Sequence, residues 1–466
     1  MLSLGSAWEN AARFAMAAVL VVGAGVTLWL NLPGHLSYDS VVQLAEGRAG
    51  VYGGQHPPVM SWMLGVADRI TPGAALFVIF DTLLIYGALL ALVLLPPRAS
   101  WLAAPLAVLC VCLPQLALYP AIVWKDVLFA GSAAAGFACL AWAAGSWPRV
   151  RVRAACLAAT TLLLALAALA RQNGAVVLPF ASLGLGLIAA RSGEKLGHAL
   201  AYAAGFLAVV LPLFAIGSAA LATRLETPGV AEQAWTALQT YDITAAVARD
   251  PRLELQTLRA RAPALETLIR TQGVRSYSPI RVDSIEPIFD HFDDSAAAPI
   301  AAQWRALILR HPLLYLRVRG TAFGWVFLTP QQSECVLDVT GVDGPAEEMA
   351  GAGLKPRRTA MDDALDGYAK AFAPTPAYSH ATYGLVGLAL LAFLLRRRRA
   401  PDFAVAAMLG GAFAFAASFA VISIACDYRY LYDLDLAVIA AALYAAASAG
   451  RTPARGVAPG GGCGAA

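Results

Sequence analysis

The chain has 466 residues, 59% of them hydrophobic and 14% charged, with a mean hydropathy of +0.63. So much apolar surface excludes a water-soluble globular fold. The net charge of +4 is slight and its basic residues flank apolar runs, as membrane topology requires, so nucleic acid is not a partner.

Ten apolar runs fall near 12–32, 74–95, 102–120, 127–147, 154–170, 174–190, 199–222, 379–395, 403–425 and 430–449. Each is long enough to cross a hydrocarbon core of about 30 Å as a helix. The runs are continuously apolar, not alternating, which argues against barrel strands. The predicted fold is an all-α polytopic membrane protein of about ten transmembrane helices. Residues 1–222 form a membrane part with its first outer loop at 33–73, and 223–377 a mainly helical extracytoplasmic insertion. Residues 378–450 return to the membrane, and 451–466 read as a disordered tail. Arg13, Arg98, Arg149, Arg151, Arg153, Arg191, Lys195, Arg396 to Arg399, Arg451 and Arg455 share one side if the runs alternate. Basic flanks favour the cytoplasm, so both termini are expected there. The first run flows directly into a polar loop and reads as an uncleaved signal-anchor.

That loop, 37–58, crowds Asp39, Gln43, Glu46 and His56 into a chain poor in polar groups. Ser37 and Asp39 are good caps for a short helix, VVQLAEG, expected to end at Gly47. His56, Pro57 and Pro58 then open an amphipathic segment, VMSWMLGVADRI, too short to span. It should lie in the interface with Trp62 and Met63 toward lipid and Asp68 and Arg69 toward water. Taken alone, Asp39 is an ordinary helix cap.

Further polar groups arrive at run ends. Lys125 and Asp126 open the fourth run, and Arg171, Gln172 and Asn173 fill the short turn after the fifth. Asp427, Arg429, Tyr430 and Tyr432 precede the tenth, with Asp433 and Asp435 slightly deeper. Singly, Lys125 can snorkel and Arg429 can anchor at the interface. Together they bring positive charge to the predicted outer side, against the usual bias, with Asp39 as the one acid facing a basic rim.

The insertion opens with helical spacing at 228–250 and 253–270. Its acidic stretch, with Asp283, Glu286, Asp290, His291, Asp293 and Asp294, matches no calcium loop and reads as solvated. Residues 299–328 read as one helix grazing the membrane, with Trp304, Ile308, Leu313, Leu316 and Phe323 apolar and Arg310, Arg317 and Arg319 interleaved. Tyr241 and Asp242 offer a second candidate acid. Seven cysteines show no metal spacing. Cys335 and Cys426 fall on the outer side, but nothing in the sequence places them within bridging distance. His198 and His380 carry no partner spacing and receive no role.

The motifs Ser37-Tyr38-Asp39-Ser40 with Gln43, His56-Pro57-Pro58, Trp124-Lys125-Asp126, Arg171-Gln172-Asn173-Gly174 and Asp427-Tyr428-Arg429-Tyr430 resemble the GT-C superfamily of integral-membrane glycosyltransferases. That group includes protein O-mannosyltransferases and lipid A aminoarabinose transferases, and the chain looks closest to a bacterial branch of it. The resemblance implies a polyprenyl-phosphate-linked sugar donor, a glycan, lipid or protein acceptor, and a site on the periplasmic face of a bacterial inner membrane. It implies Asp39 as base, His56 orienting it or the sugar, and Gln43, Lys125, Asp126, Arg171, Asn173, Arg429 and Tyr430 holding lipid phosphate and sugar. Ser40 departs from the pattern, since better-known members pair two acids there; no metal ligands are assigned, and a divalent metal stays open. The residues support the same chemistry, because an attacking hydroxyl needs a carboxylate and a departing phosphate needs fixed cations. A transporter or flippase of lipid-linked sugars would use the same cations without the base, but Asp81 is the only obvious acid inside a run. A non-catalytic envelope scaffold, binding partners through the insertion, is the third reading.

Overall fold

A computed structural model describes residues 4–96, 99–100, 103–226, 230–289, 292 and 296–449. Tail 451–466, Arg98, and Asp290, His291, Asp293 and Asp294 of the acidic stretch lie outside the described residues. Asp283 and Glu286 of that stretch are exposed. The chain is all-α; among the described residues extended pairing is confined to isolated bridges.

Among the described residues, eight helices are long and apolar enough to cross a membrane: Asn10–Asn31, Ala75–Leu94, Lys125–Gly145, Val150–Ala170, Gly174–Arg191, Leu196–Ala222, Ala400–Ile422 and Tyr428–Ala447. The run at 102–120, expected as one helix, is bent by 68° between Ala103–Val111 and Pro114–Ala121. Pro114 has no N–H to continue the helix and restricts the residue before it. The remaining predicted segment is the 18-residue helix His380–Arg397, polar at both ends.

Lys125–Gly145 is the central helix, with 89% of its span window buried, against 17% for Leu196–Ala222. Its run of Ala130, Gly131, Ser132, Ala133, Ala134, Ala135 and Gly136 lets neighbouring backbones approach on every side. Whatever stands at its first turn is therefore surrounded by protein. Lys125 and Asp126 stand there.

The first loop helix, Tyr38–Ala49, starts at Ser37 and ends at Gly50, whose φ of 72° is the left-handed cap a glycine supplies. The expected stop, Gly47, instead meets Gly65 of Pro58–Ile70; a Cβ at Gly47 would lie 2.3 Å from the Ser61 carbonyl oxygen. Arg48 and Asp68 close this helix pair with an ion pair at 2.6 Å. Trp62 of the second helix is 45% exposed.

The insertion has its own apolar cluster, with Tyr241, Ile243, Leu255, Ile269, Ile300 and Val318 buried. Its 299–328 stretch is two helices, Ala297–Arg310 and Pro312–Leu328, broken where Pro312 restricts His311. Arg319 is buried, not interfacial. It donates to Asp242 Oδ1 at 2.9 Å and to the carbonyls of Ala420 and Ser423, at 3.1 and 2.9 Å, at the end of Ala400–Ile422. Cys335 and Cys426 are disulfide-bonded, with Cα atoms 5.0 Å apart. The sequence hid this contact because 91 residues separate them.

Candidate active site

Asp39 lies in the first turn of Tyr38–Ala49, and three contacts fix that turn. Ser37 N–H donates to Ser40 Oγ at 3.2 Å, Ser40 Oγ–H donates to the Val123 carbonyl at 2.5 Å, and Trp124 Nε1–H donates to Ser37 Oγ at 2.9 Å. Ser40 is thus a peg between this helix and the segment leading into Lys125. The first loop and the central helix are locked together.

Around Asp39 the charged groups form a chain of contacts. Arg429 Nη2 donates to Asp39 Oδ2 at 2.7 Å and lies 3.0 Å from Asp427 Oδ2. Arg429 Nε donates to Asp427 Oδ2 at 3.1 Å and is 3.9 Å from Asp126 Oδ2. Asp126 Oδ1 accepts from Arg171 Nη1 at 2.6 Å, both side chains being buried. His56 Nε2 is 3.7 Å from Asp39 Oδ1, and Lys125 Nζ donates to His56 Nδ1 at 2.7 Å. Aromatic rings carry the guanidinium groups: Arg429 lies 4.9 Å from the Trp124 centroid, and Arg171 lies 5.5 Å from that of Tyr430. Such stacking suits the planar, weakly hydrated guanidinium.

The electrostatics follow from burial and partners. Burial alone would raise the Asp39 carboxyl, but the His56 hydrogen bond and the charges of Arg429 and Lys125 hold it below the usual carboxylate range. His56 is pushed down from its ordinary value, first by burial and then by Lys125, against the pull of Asp39. Neutral His56 can accept the Lys125 proton at Nδ1 while its Nε2–H faces Asp39. Burial pushes the Asp427 carboxyl up, although Arg429 opposes it.

A cavity of about 570 Å³ opens beside this network. At one end it is lined by His56, Lys125, Arg171, Gln172 and Tyr430, and elsewhere by apolar side chains including Leu169, Phe214, Leu221, Phe419 and Ile422. Among the described residues, Lys125 is the one cation at the polar end with no carboxylate within ion-pair distance.

The structure therefore brings Asp39, His56, Lys125, Asp126, Arg171, Arg429 and Tyr430 together. Gln43 is buried in the helix below Asp39 with no hydrogen-bond partner at Nε2, outside this set of contacts. Asn173 instead braces its turn against Ala400–Ile422, donating from Nδ2 to Ser418 Oγ at 2.7 Å. Asp39 is not the one acid at the rim, since Asp126 and Asp427 converge on the same guanidinium. Asp427 stands immediately before the short 3-10 turn Tyr428–Leu431 that carries Arg429, and the sequence marks it without giving it a role. His380, given no role, is fully buried, and its Nε2 lies 3.0 Å from the Tyr428 carbonyl beside Arg429 while its Nδ1 meets Asp435 at 2.9 Å. Asp242 is held inside the insertion by Arg319 and Trp304, not in the site.

Among the described residues no group of three or more His, Cys, Asp or Glu side chains is arranged to hold a metal ion. The carboxylates that do converge face Arg429, so these residues do not fit a divalent ion.

No family model matches the chain, and no curated protein matches it. Among solved structures it is similar to the Archaeoglobus fulgidus oligosaccharyltransferase in complex with Zn and sulfate, at 14% identity and a TM-score of 0.40 over 92% of this chain and 48% of that one. The same values of identity and score hold for oligosaccharyltransferase AglB of that organism with an inhibitory peptide and a dolichol-phosphate, over 92% and 50%. ArnT from Cupriavidus metallidurans, bound to undecaprenyl phosphate, is similar at 16% identity and a TM-score of 0.34, over 92% and 77%. The chain thus spans about half the length of the archaeal structures it matches.

Proposed function

We propose that the chain is a membrane glycosyltransferase that moves a sugar from a polyprenyl-phosphate carrier to an acceptor hydroxyl on the extracytoplasmic side. The carrying observation is the cavity: a cationic end formed by Lys125 and Arg171 runs into apolar walls, which suits a phosphate on a hydrocarbon tail. Lys125 meets the phosphate, because Arg171 and Arg429 are already engaged by carboxylates.

The acceptor oxygen attacks the anomeric carbon, the bond from that carbon to the phosphate oxygen breaks, and its electron pair leaves on the phosphate. The acceptor proton passes to Asp39, and the configuration inverts. A carboxylate stabilised as Asp39 is here is a weak base. A donor phosphate that draws the Lys125 charge to itself returns basicity to it. His56 keeps Lys125 and Asp39 in register, and fixed cations in a partly dry site stabilise the leaving charge.

The test is binding of undecaprenyl phosphate to the full chain in nanodiscs, followed by transfer from a labelled polyprenyl-phosphate sugar. Lys125→Ala should weaken binding at least ~10-fold, within the worth of one preorganised charge contact. Unchanged binding in that variant would reject the phosphate assignment.

A further inference from the structure

We propose that the guanidinium of Arg429 fills the cation position its three neighbouring carboxylates create, so that the site carries its own positive charge in place of a divalent metal. This rests on the reading of the site as a sugar-transfer centre with a phosphate leaving group. A zinc or magnesium ion needs carboxylate oxygens about 2.0–2.2 Å from one point. Here Asp39 and Asp427 instead lie at hydrogen-bond distance from one guanidinium nitrogen, 2.7 and 3.0 Å away. The third carboxylate, Asp126, turns Oδ2 toward Arg429 Nε at 3.9 Å, and that oxygen has no hydrogen-bond partner. In a metal site such an oxygen would be a ligand; here the guanidinium charge faces it.

Arg429 is also held against swinging away. Its guanidinium lies against Trp124, itself pinned to Ser37. The segment before it is fixed by the Cys335–Cys426 disulfide, by Val336 N–H donating to the Cys426 carbonyl at 3.1 Å, and by Tyr428 N–H donating to the Val336 carbonyl at 2.9 Å. Ser40 supplies no further oxygen, because its hydroxyl is committed to Val123.

The experiment titrates Mn²⁺ into metal-stripped full-length protein in nanodiscs and reads bound ion by electron paramagnetic resonance, with no dependence on turnover. Wild type should bind no Mn²⁺ above the nanodisc blank. Arg429→Ala should open the position and gain Mn²⁺ affinity by at least roughly 10-fold, the scale of losing or gaining a well-placed ligand environment. Adding Asp39→Asn should remove the gain. Wild-type binding of Mn²⁺ that Asp39→Asn abolishes would overturn the proposal, and this arm stands even if Arg429→Ala fails to fold. A folded Arg429→Ala protein that gains no Mn²⁺ would overturn it as well. Undecaprenyl phosphate binding, measured with and without EDTA, should be the same. If no lipid phosphate binds in either condition, the transferase reading fails, while the Mn²⁺ result still decides the role of Arg429.

Discussion

At the scale of single residues, the site sets the needs of catalysis against those of burial. In the proposed transfer Asp39 must stay ionised among cations yet take a proton. Asp39→Asn should therefore cut transfer by about 10²–10⁴-fold while undecaprenyl phosphate still binds, a split measured by comparing turnover with lipid affinity. Retained turnover would remove the base role from Asp39. Buried His35 and partly buried His56, both outside the spans, set a pH dependence. His35 is lowered from 6.5 to about 4, chiefly by burial, and His56 is lowered for the same first reason. A lowered histidine pKa means the unfolded chain binds more protons between the two values, so stability is complete above about 6.5 and falls as pH drops toward the folded value. For His35 the loss is on the order of 3 kcal/mol. Melting temperature in detergent should fall between pH 7 and pH 5, and His35→Gln should flatten that slope. Melting independent of pH in wild type would contradict the burial argument.

At the scale of elements, the turn carrying Arg429 depends on parts distant in sequence. His380 holds the Tyr428 carbonyl from the membrane side, and the insertion holds Cys426 by a disulfide and backbone bonds. A bridge closing a loop of this length restricts the unfolded chain by about 4–5 kcal/mol in the chain-entropy account. Cys335→Ser should lower both the melting temperature and the affinity for undecaprenyl phosphate. A change in melting alone would show that the bridge does not position Arg429. The Asp242–Arg319 pair ties the insertion to the end of Ala400–Ile422. Arg319→Met leaves Asp242 buried without its charge partner and should cost about 3–5 kcal/mol, whereas the double variant with Asp242→Asn should recover much of the loss. The two variants are compared by urea or thermal unfolding in detergent.

At the scale of the whole molecule, the bundle gathers the ends of three crossing segments and one loop at a single level. If the ten runs read from the sequence alternate from a cytoplasmic start, both termini lie on the same side and the site on the other. Reporter fusions after Arg397 and after Ala447 should both report the cytoplasm, and a fusion in the loop at Gly54 should report the opposite side. Any other pattern would reverse the assigned sidedness of Lys125, Arg171 and Arg429.

Sequence by itself determined the class of the molecule, because apolar run length answers to the thickness of a bilayer and needs no partner to be read. It also marked Asp39, His56, Lys125, Asp126, Arg171 and Arg429, since charge at the end of an apolar run stands out wherever the chain then folds. It missed the bend before Pro114 and the division at Pro312, where proline overrode an otherwise continuous pattern. Tertiary structure alone decided that Gln43 and Asn173 lie outside the ionic network, that Cys335 meets Cys426, and that three acids converge on Arg429. Those facts depend on which faces of distant helices meet, and periodicity along one chain holds no record of that.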